Sequence, residues 1–243
     1  MLEIIFWMDD QGLVDIGQIT FLEYAMAIFL ANPKSFYSSK FKNEIKKYAL
    51  YLSLSGTGFS KSNLDTVERI YSLSKQITDS HESEKYSYSS PSSKPNLTVD
   101  QVLEITTSNS KFRAIMNIFY IDKIMSKFTV DISGNHIRNI DEEQLDNNHI
   151  FLKSRVASFT AKSKFISIAN FVLIDSAINR EHIKDRIPKD YFTDINKDEK
   201  GAFYAEQNLI NINEEMNVYD EQSAEGFIRN RAEKIAEIVN EYF

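Results

Sequence analysis

The stretch from Leu145 to Phe192, LDNNHIFLKSRVASFTAKSKFISIANFVLIDSAINREHIKDRIPKDYF, limits the fold of this chain more than any other. An apolar-flanked run, Asn148-His149-Ile150-Phe151, leads into a basic, Ser-rich loop. A second apolar run, Ile168 to Ile174, follows, and a helical pattern opens at Asn179. Short apolar runs bounded by polar loops read as strands, so the order is strand, loop, strand, helix.

That order places chemically useful side chains close together. Hydrolysis of a phosphodiester needs an imidazole that is neutral near pH 7 to take a proton from water, and a divalent cation beside the scissile phosphate. His149 at a strand end can supply the base. Asn148 and Asn179 can supply amide oxygens, which suit hard cations. Asn170 at the second strand can tie the connecting loop to the backbone and so orient the imidazole. His182 lies about one turn beyond Asn179 and reads as a further ligand, a phosphate contact or an exposed helix histidine.

The order His149, Asn170, Asn179 resembles the HNH branch of the His-Me finger (ββα-metal) nucleases. The runs NHIFLKS, SIANFVLID and NREHIKDRIPKDYF are similar to the C-terminal nuclease domain of GmrSD-type modification-dependent restriction enzymes. Lys184, Pro188 and Tyr191 fill the places of the Lys and Pro-x-x-Tyr segment of those domains. The resemblance covers roughly Thr98 to Phe243 and is densest from Asn148 to Tyr191. It implies an α+β, mostly helical fold with a ββα-metal finger at about 145–192, and a metal-dependent endonuclease acting on DNA, in preference to RNA, in restriction and antiviral defence.

The roles it implies are His149 as base with Asn170 supporting it, and one Mg2+ or Mn2+ on Asn148, Asn179 and His182. Lys153, Arg180 and Lys184 would contact phosphate. Asn148 stands where such domains commonly carry Asp, Glu or His, which keeps an oxygen and loses a charge. Leu152 replaces the usual Pro, which affects only loop stiffness. The Asp-Gly-Gln-Gln-Arg-like NTPase signature of the other half of those proteins is missing, so an NTPase partner subunit or domain is expected. The alternative is a catalytically weakened finger kept as a DNA-binding or partner-binding module.

Charge fits this reading in its distribution. The formal net charge is −7, which argues against coating nucleic acid by bulk electrostatics. Between His149 and Asp190, however, Lys and Arg outnumber Asp and Glu, as a phosphate-facing cleft requires. The chain has no cysteine, so disulfides and thiolate metal sites are excluded and any metal must use O and N ligands. No apolar run approaches the ~20 residues of a membrane span, the start lacks a secretory pattern, and a cytoplasmic setting fits.

The remaining elements are mostly helices. Residues 1–78 read as a helical region, with helices over 20–31, 41–54 and 64–77. Residues 79–97 are Ser-rich, with two prolines in DSHESEKYSYSSPSSKPN, and read as a linker or long loop. Residues 98–243 form the second domain. A capping box at Thr98 and Gln101 opens a helix to about Thr107, a largely apolar helix spans 110–127, and an extended segment turns at Ser133-Gly134-Asn135. A helix over 202–210 precedes a closing amphipathic helix over 220–243, with Phe227, Ile228, Ala232, Ile235, Ile238 and Val239 on one stripe.

Overall fold

The computed structural model describes residues 6, 43, 46–47, 50–51, 53–54, 96–121, 129–130, 137–138, 145–152, 165–175, 179–183, 186–195, 205, 208–211 and 221–243. The chain divides into two compact units. One is Met1–Pro95 with Arg113–Asn117 and Phe243; the other is Asn96–Phe112 with Ile118–Tyr242.

In the first unit every described residue from 43 to 54 is helical, within the helix expected over 41–54. Lys46, Leu50, Ser53 and Leu54 are buried, a stripe at i, i+4, i+7 and i+8. The ring of Tyr51 meets that of Phe243 edge-on at 6.2 Å. The helices expected over 20–31 and 64–77, and the Ser-rich segment up to Pro95, lie outside the described residues.

The second unit opens with α1, Val99–Leu103, and its capping box is present in both directions. The Thr98 hydroxyl accepts from the Gln101 N–H at 3.2 Å, and the Gln101 amide oxygen accepts from the Thr98 N–H at 3.0 Å. The helix stops at Leu103, short of Thr107, because its carbonyls are claimed by another segment. Ser167 Oγ donates to the Val102 carbonyl at 3.2 Å, Ile168 N–H donates to the Ile105 carbonyl at 2.7 Å, and Thr106 bridges Ser167 in antiparallel fashion. Helix α2, Ser110–Met116, of which Arg113 onward is counted with the first unit, starts with the Asn109 side chain accepting from the Lys111 N–H at 2.9 Å. It widens into a π-helical turn over Asn117–Ile121, and the rest of the helix expected to 127 lies outside the described residues.

Two small antiparallel sheets follow, so the described residues combine helices with antiparallel strands, which is compatible with an α+β fold. Strands β1, Thr129–Val130, and β2, Ile137–Arg138, pair antiparallel, and the turn expected at Ser133-Gly134-Asn135 lies outside the described residues. Strands β3, Leu145–His149, and β4, Phe171–Asp175, pair over their whole length, with Leu145 opposite Asp175 and His149 opposite Phe171. A single 3-10 turn, Ile168–Asn170, leads into β4. Asn170 is therefore the last residue of a turn, where a strand residue was expected.

The helical pattern expected from Asn179 is split. A π-helical turn covers Asn179–Ile183, and α3, Pro188–Ile195, starts afresh. Proline has no N–H to continue a helix but is preorganised for its first position, which accounts for the break. At the expected 202–210 helix, Ala205 is helical but Asn208 and Leu209 form a turn. The Ile210 N–H bonds back to the Ala205 carbonyl at 2.7 Å and Leu209 has φ 59°, the bonding of a Schellman-type helix stop with Leu where Gly is usual.

Helix α4, Glu221–Tyr242, closes the unit and packs against α1 and the 3-10 turn. Ala224, Phe227, Ile228, Ala232, Ile235 and Val239 are buried on one side of it. Arg231 lies on the edge of that stripe and is only 3% exposed. Its guanidinium donates to four main-chain carbonyls: Nε to Asn208 at 3.0 Å, and Nη1 to Ala169 at 2.8 Å, Phe171 at 2.7 Å and Ile168 at 3.4 Å. No helix among the described residues is long and apolar enough to cross a membrane.

A buried guanidinium bound to carbonyls stabilises only while all its donors are satisfied, and removing it strands the acceptors. Arg231→Ala is expected to cost about 3 kcal/mol in urea denaturation. Arg231→Lys should recover less than half of that, because one ammonium cannot span the same fork of acceptors.

Candidate functional site

His149 is the last residue of β3, and the two residues after it are fixed by buried hydrogen bonds. Asn170, fully buried, uses its amide in three of them. Its Oδ1 accepts from the Phe151 N–H at 2.8 Å, while Nδ2 donates to the carbonyls of Phe151 at 3.0 Å and Phe165 at 2.8 Å. Its own main-chain carbonyl accepts from the Ile150 N–H at 2.8 Å. The Tyr191 hydroxyl, brought in by α3, donates to the Ile150 carbonyl at 2.9 Å. Both main-chain groups of Ile150 and both of Phe151 are thus held, and the imidazole one residue earlier sits on a rigid mount.

The same bonds explain the local fold. Ile150 and Phe151 leave the ladder with β4 and are fully buried, so their polar groups need partners other than water. The Asn170 side chain accepts one bond and donates two at one place, whereas an ionised carboxylate has no donor and a hydroxyl has only one. Asn170 was placed in the sequence as a tie between loop and backbone, and the tie is present.

Strand alternation decides what faces what. Asn147 and His149 share one face of β3 with Phe171 and Leu173 of β4, while Asp146 and Asn148 share the other with Val172 and Ile174. On the first face the His149 ring stacks at a tilt on Phe171, centroids 4.2 Å apart, and Phe171 meets Phe112 edge-on at 5.7 Å. His149 is half-buried, with Nε2 on the inner side. On the second face Val172 and Ile174 are buried, and so is Asn148, whose Nδ2 is buried and makes no hydrogen bond.

Asn179 meets this second face. Its Nδ2 donates to Asp146 Oδ2 at 3.1 Å. Asp146 precedes His149 by three strand positions, about 10 Å along the chain and on the opposite face. The structure therefore brings Asn179, Asp146 and Asn148 to one side of the hairpin and leaves His149 on the other. Asn179 and His149 do not face each other across a shared pocket, because an odd spacing in a strand reverses the side.

Arg180 follows Asn179 and is exposed. The side chain of His182 and the whole of Lys153 and Lys184 lie outside the described residues. Among the described residues no group of three or more His, Asp or Glu side chains is placed to hold a metal ion. A cavity of about 320 Å3 beside α4 is lined by Leu209, Phe227, Arg231 and Lys234 among others, and none of the sequence-derived site residues reaches it.

Two residues that hold the site together had no assigned role in the sequence. Tyr191 was part of the family-like pattern only. Arg231 was hidden among the charges of the last helix, although it falls four residues after Phe227 and four before Ile235, at the spacing of the buried stripe. No family model, curated protein or solved structure matches this chain.

Asn170→Ala removes three side-chain bonds and leaves buried main-chain groups without partners, so about 3 kcal/mol of stability should be lost. Amide exchange at Phe151 should accelerate in the same variant. Tyr191→Phe keeps the ring and removes one bond, and its cost in the same denaturation measurement should be about 1 kcal/mol.

Proposed function

We propose that this protein is a metal-dependent endonuclease that hydrolyses phosphodiester bonds, with DNA as substrate and defence against foreign DNA as its setting. The observation that carries the reading is the mounting of His149. A half-buried imidazole, its Nε2 on the inner side, ends a strand, and the next two residues are immobilised by Asn170 and Tyr191. Proton transfer is efficient only from a base held at a fixed distance from its water, and a strand end pinned on both sides provides that. The order of two antiparallel strands and a helical turn at Asn179 supports a ββα finger as the frame.

In this mechanism His149 takes a proton from the attacking water, and Asn170 acts through the backbone by keeping the imidazole in place. The scissile phosphate approaches His149 from the side on which that residue is exposed, at the end of β3. Lys153, Arg180 and Lys184 neutralise phosphate charge as it builds up. Asn179 and Asn148 offer amide oxygens, which fit Mg2+ or Mn2+, and His182 is the alternative to Asn148 as a holder. Such an ion, when bound, supplies Lewis-acid stabilisation of the phosphate and the leaving oxygen. The positive excess between His149 and Asp190 favours a nucleic-acid substrate.

A second reading, a finger retained for binding DNA or a partner such as an NTPase subunit, is favoured by the uncharged Asn148 and by the Asn179 amide being donated to Asp146. Plasmid nicking with Mg2+, Mn2+ or EDTA separates the two. The endonuclease should nick with either ion and stop in EDTA, and His149→Ala should reduce the rate about 100- to 10,000-fold with an unchanged circular dichroism spectrum. Equal nicking by His149→Ala sinks the assignment of the base. Salt-sensitive DNA binding with no cleavage under any ion favours the binding module.

A further inference from the structure

We infer that Asp146, two positions before the expected ligand Asn148, is the charged ligand of a divalent-cation site completed by Asn179 and Asn148. The inference rests on the hydrolase reading for what the ion is used for, but the binding itself can be measured apart from it. Three observations meet at this place. Side chains two apart in a strand share a face, so Asp146 and Asn148 lie together above Ile174 and Val172. A carboxylate moved along the strand by two keeps that face, whereas a move by one would lose it.

The Asn179 amide is already docked on Asp146, Nδ2 to Oδ2 at 3.1 Å. This bond uses one oxygen of the carboxylate and the nitrogen end of the amide. Asp146 Oδ1 and Asn179 Oδ1 are left as acceptors on side chains held together in advance, which lowers the ordering cost of a bound ion.

Asn148 is the independent sign of a ligand. It is 5% exposed, its Nδ2 is buried, and that atom makes no hydrogen bond. An amide left so is destabilising, and native interiors satisfy nearly all such groups. A half-turn of the amide presents Oδ1 in the same place, where a cation bound to Asp146 would accept it as a ligand. One carboxylate and two amide oxygens, with water in the remaining positions, match the way Mg2+ is held, and Mn2+ can report on the same site.

The test is Mn2+ titration of the full chain, free ion being read by electron paramagnetic resonance, with amide signal broadening by Mn2+ recorded on labelled wild-type protein. Wild type should bind one ion, His149→Ala should bind it equally, and Asp146→Asn should weaken binding at least about tenfold. Broadening should centre on residues 145–149 and 179–180. The site is overturned if wild type binds no Mn2+, if Asp146→Asn binds as wild type does, or if the broadening centres elsewhere. Should Asp146→Asn fail to fold, the wild-type broadening pattern decides alone. Binding that depends on Asp146 in a protein that nicks no DNA keeps the site and removes the hydrolase reading. Nicking with an Asp146-independent ion does the reverse.

Discussion

The side-chain amide of Asn170 is the interaction on which the second unit depends. It accepts from Phe151 and donates to Phe151 and Phe165, so it closes the base of the loop between β3 and β4 from inside the protein. In a medium of low dielectric such bonds are strong when complete and costly when one is missing, which makes the network close to all-or-none. Arg231 stands behind it, holding the carbonyls of Ile168, Ala169 and Phe171 on either side of Asn170. One helix residue far along the chain thereby sets the turn that sets the strand end.

The arrangement has a cost that other features offset. Desolvating a guanidinium is expensive, and here the compensation comes from main-chain oxygens whose own hydrogen-bonding needs are met at the same time. One of them, the Asn208 carbonyl, is delivered by a turn in which Leu209 takes a left-handed conformation that disfavours residues with a Cβ. By contrast the Arg229 to Asp100 pair at 3.4 Å is exposed on both sides and contributes little.

Periodicity and capping made several elements legible in advance. The capping box of α1, the apolar α2, the two strands flanking the basic loop and the long last helix all follow from local residue patterns. The end of α1 was not legible, because it is set by Ser167 and Ile168, more than sixty residues away in sequence. Asn170 could be read as a tie because an amide between two apolar runs has little else to do. Asn179 could be placed at the start of a helical turn, but not against Asp146: its partner depends on the path of the chain out of β4. Arg231 was missed because charge on an amphipathic helix is ordinarily solvated, and only its spacing set it apart.

Asn240, near the end of the last helix, uses its amide oxygen for the Leu97 N–H at 2.8 Å and its amide nitrogen for the Leu97 carbonyl at 3.0 Å. The two residues are 143 positions apart in the chain. A span whose first and last turns are clasped in this way enters and leaves at one point, so it can be carried inside a loop of a host protein without stretching either. Closing the clasp also brings together the two ends of the whole intervening span, so its entropic cost is set by that length.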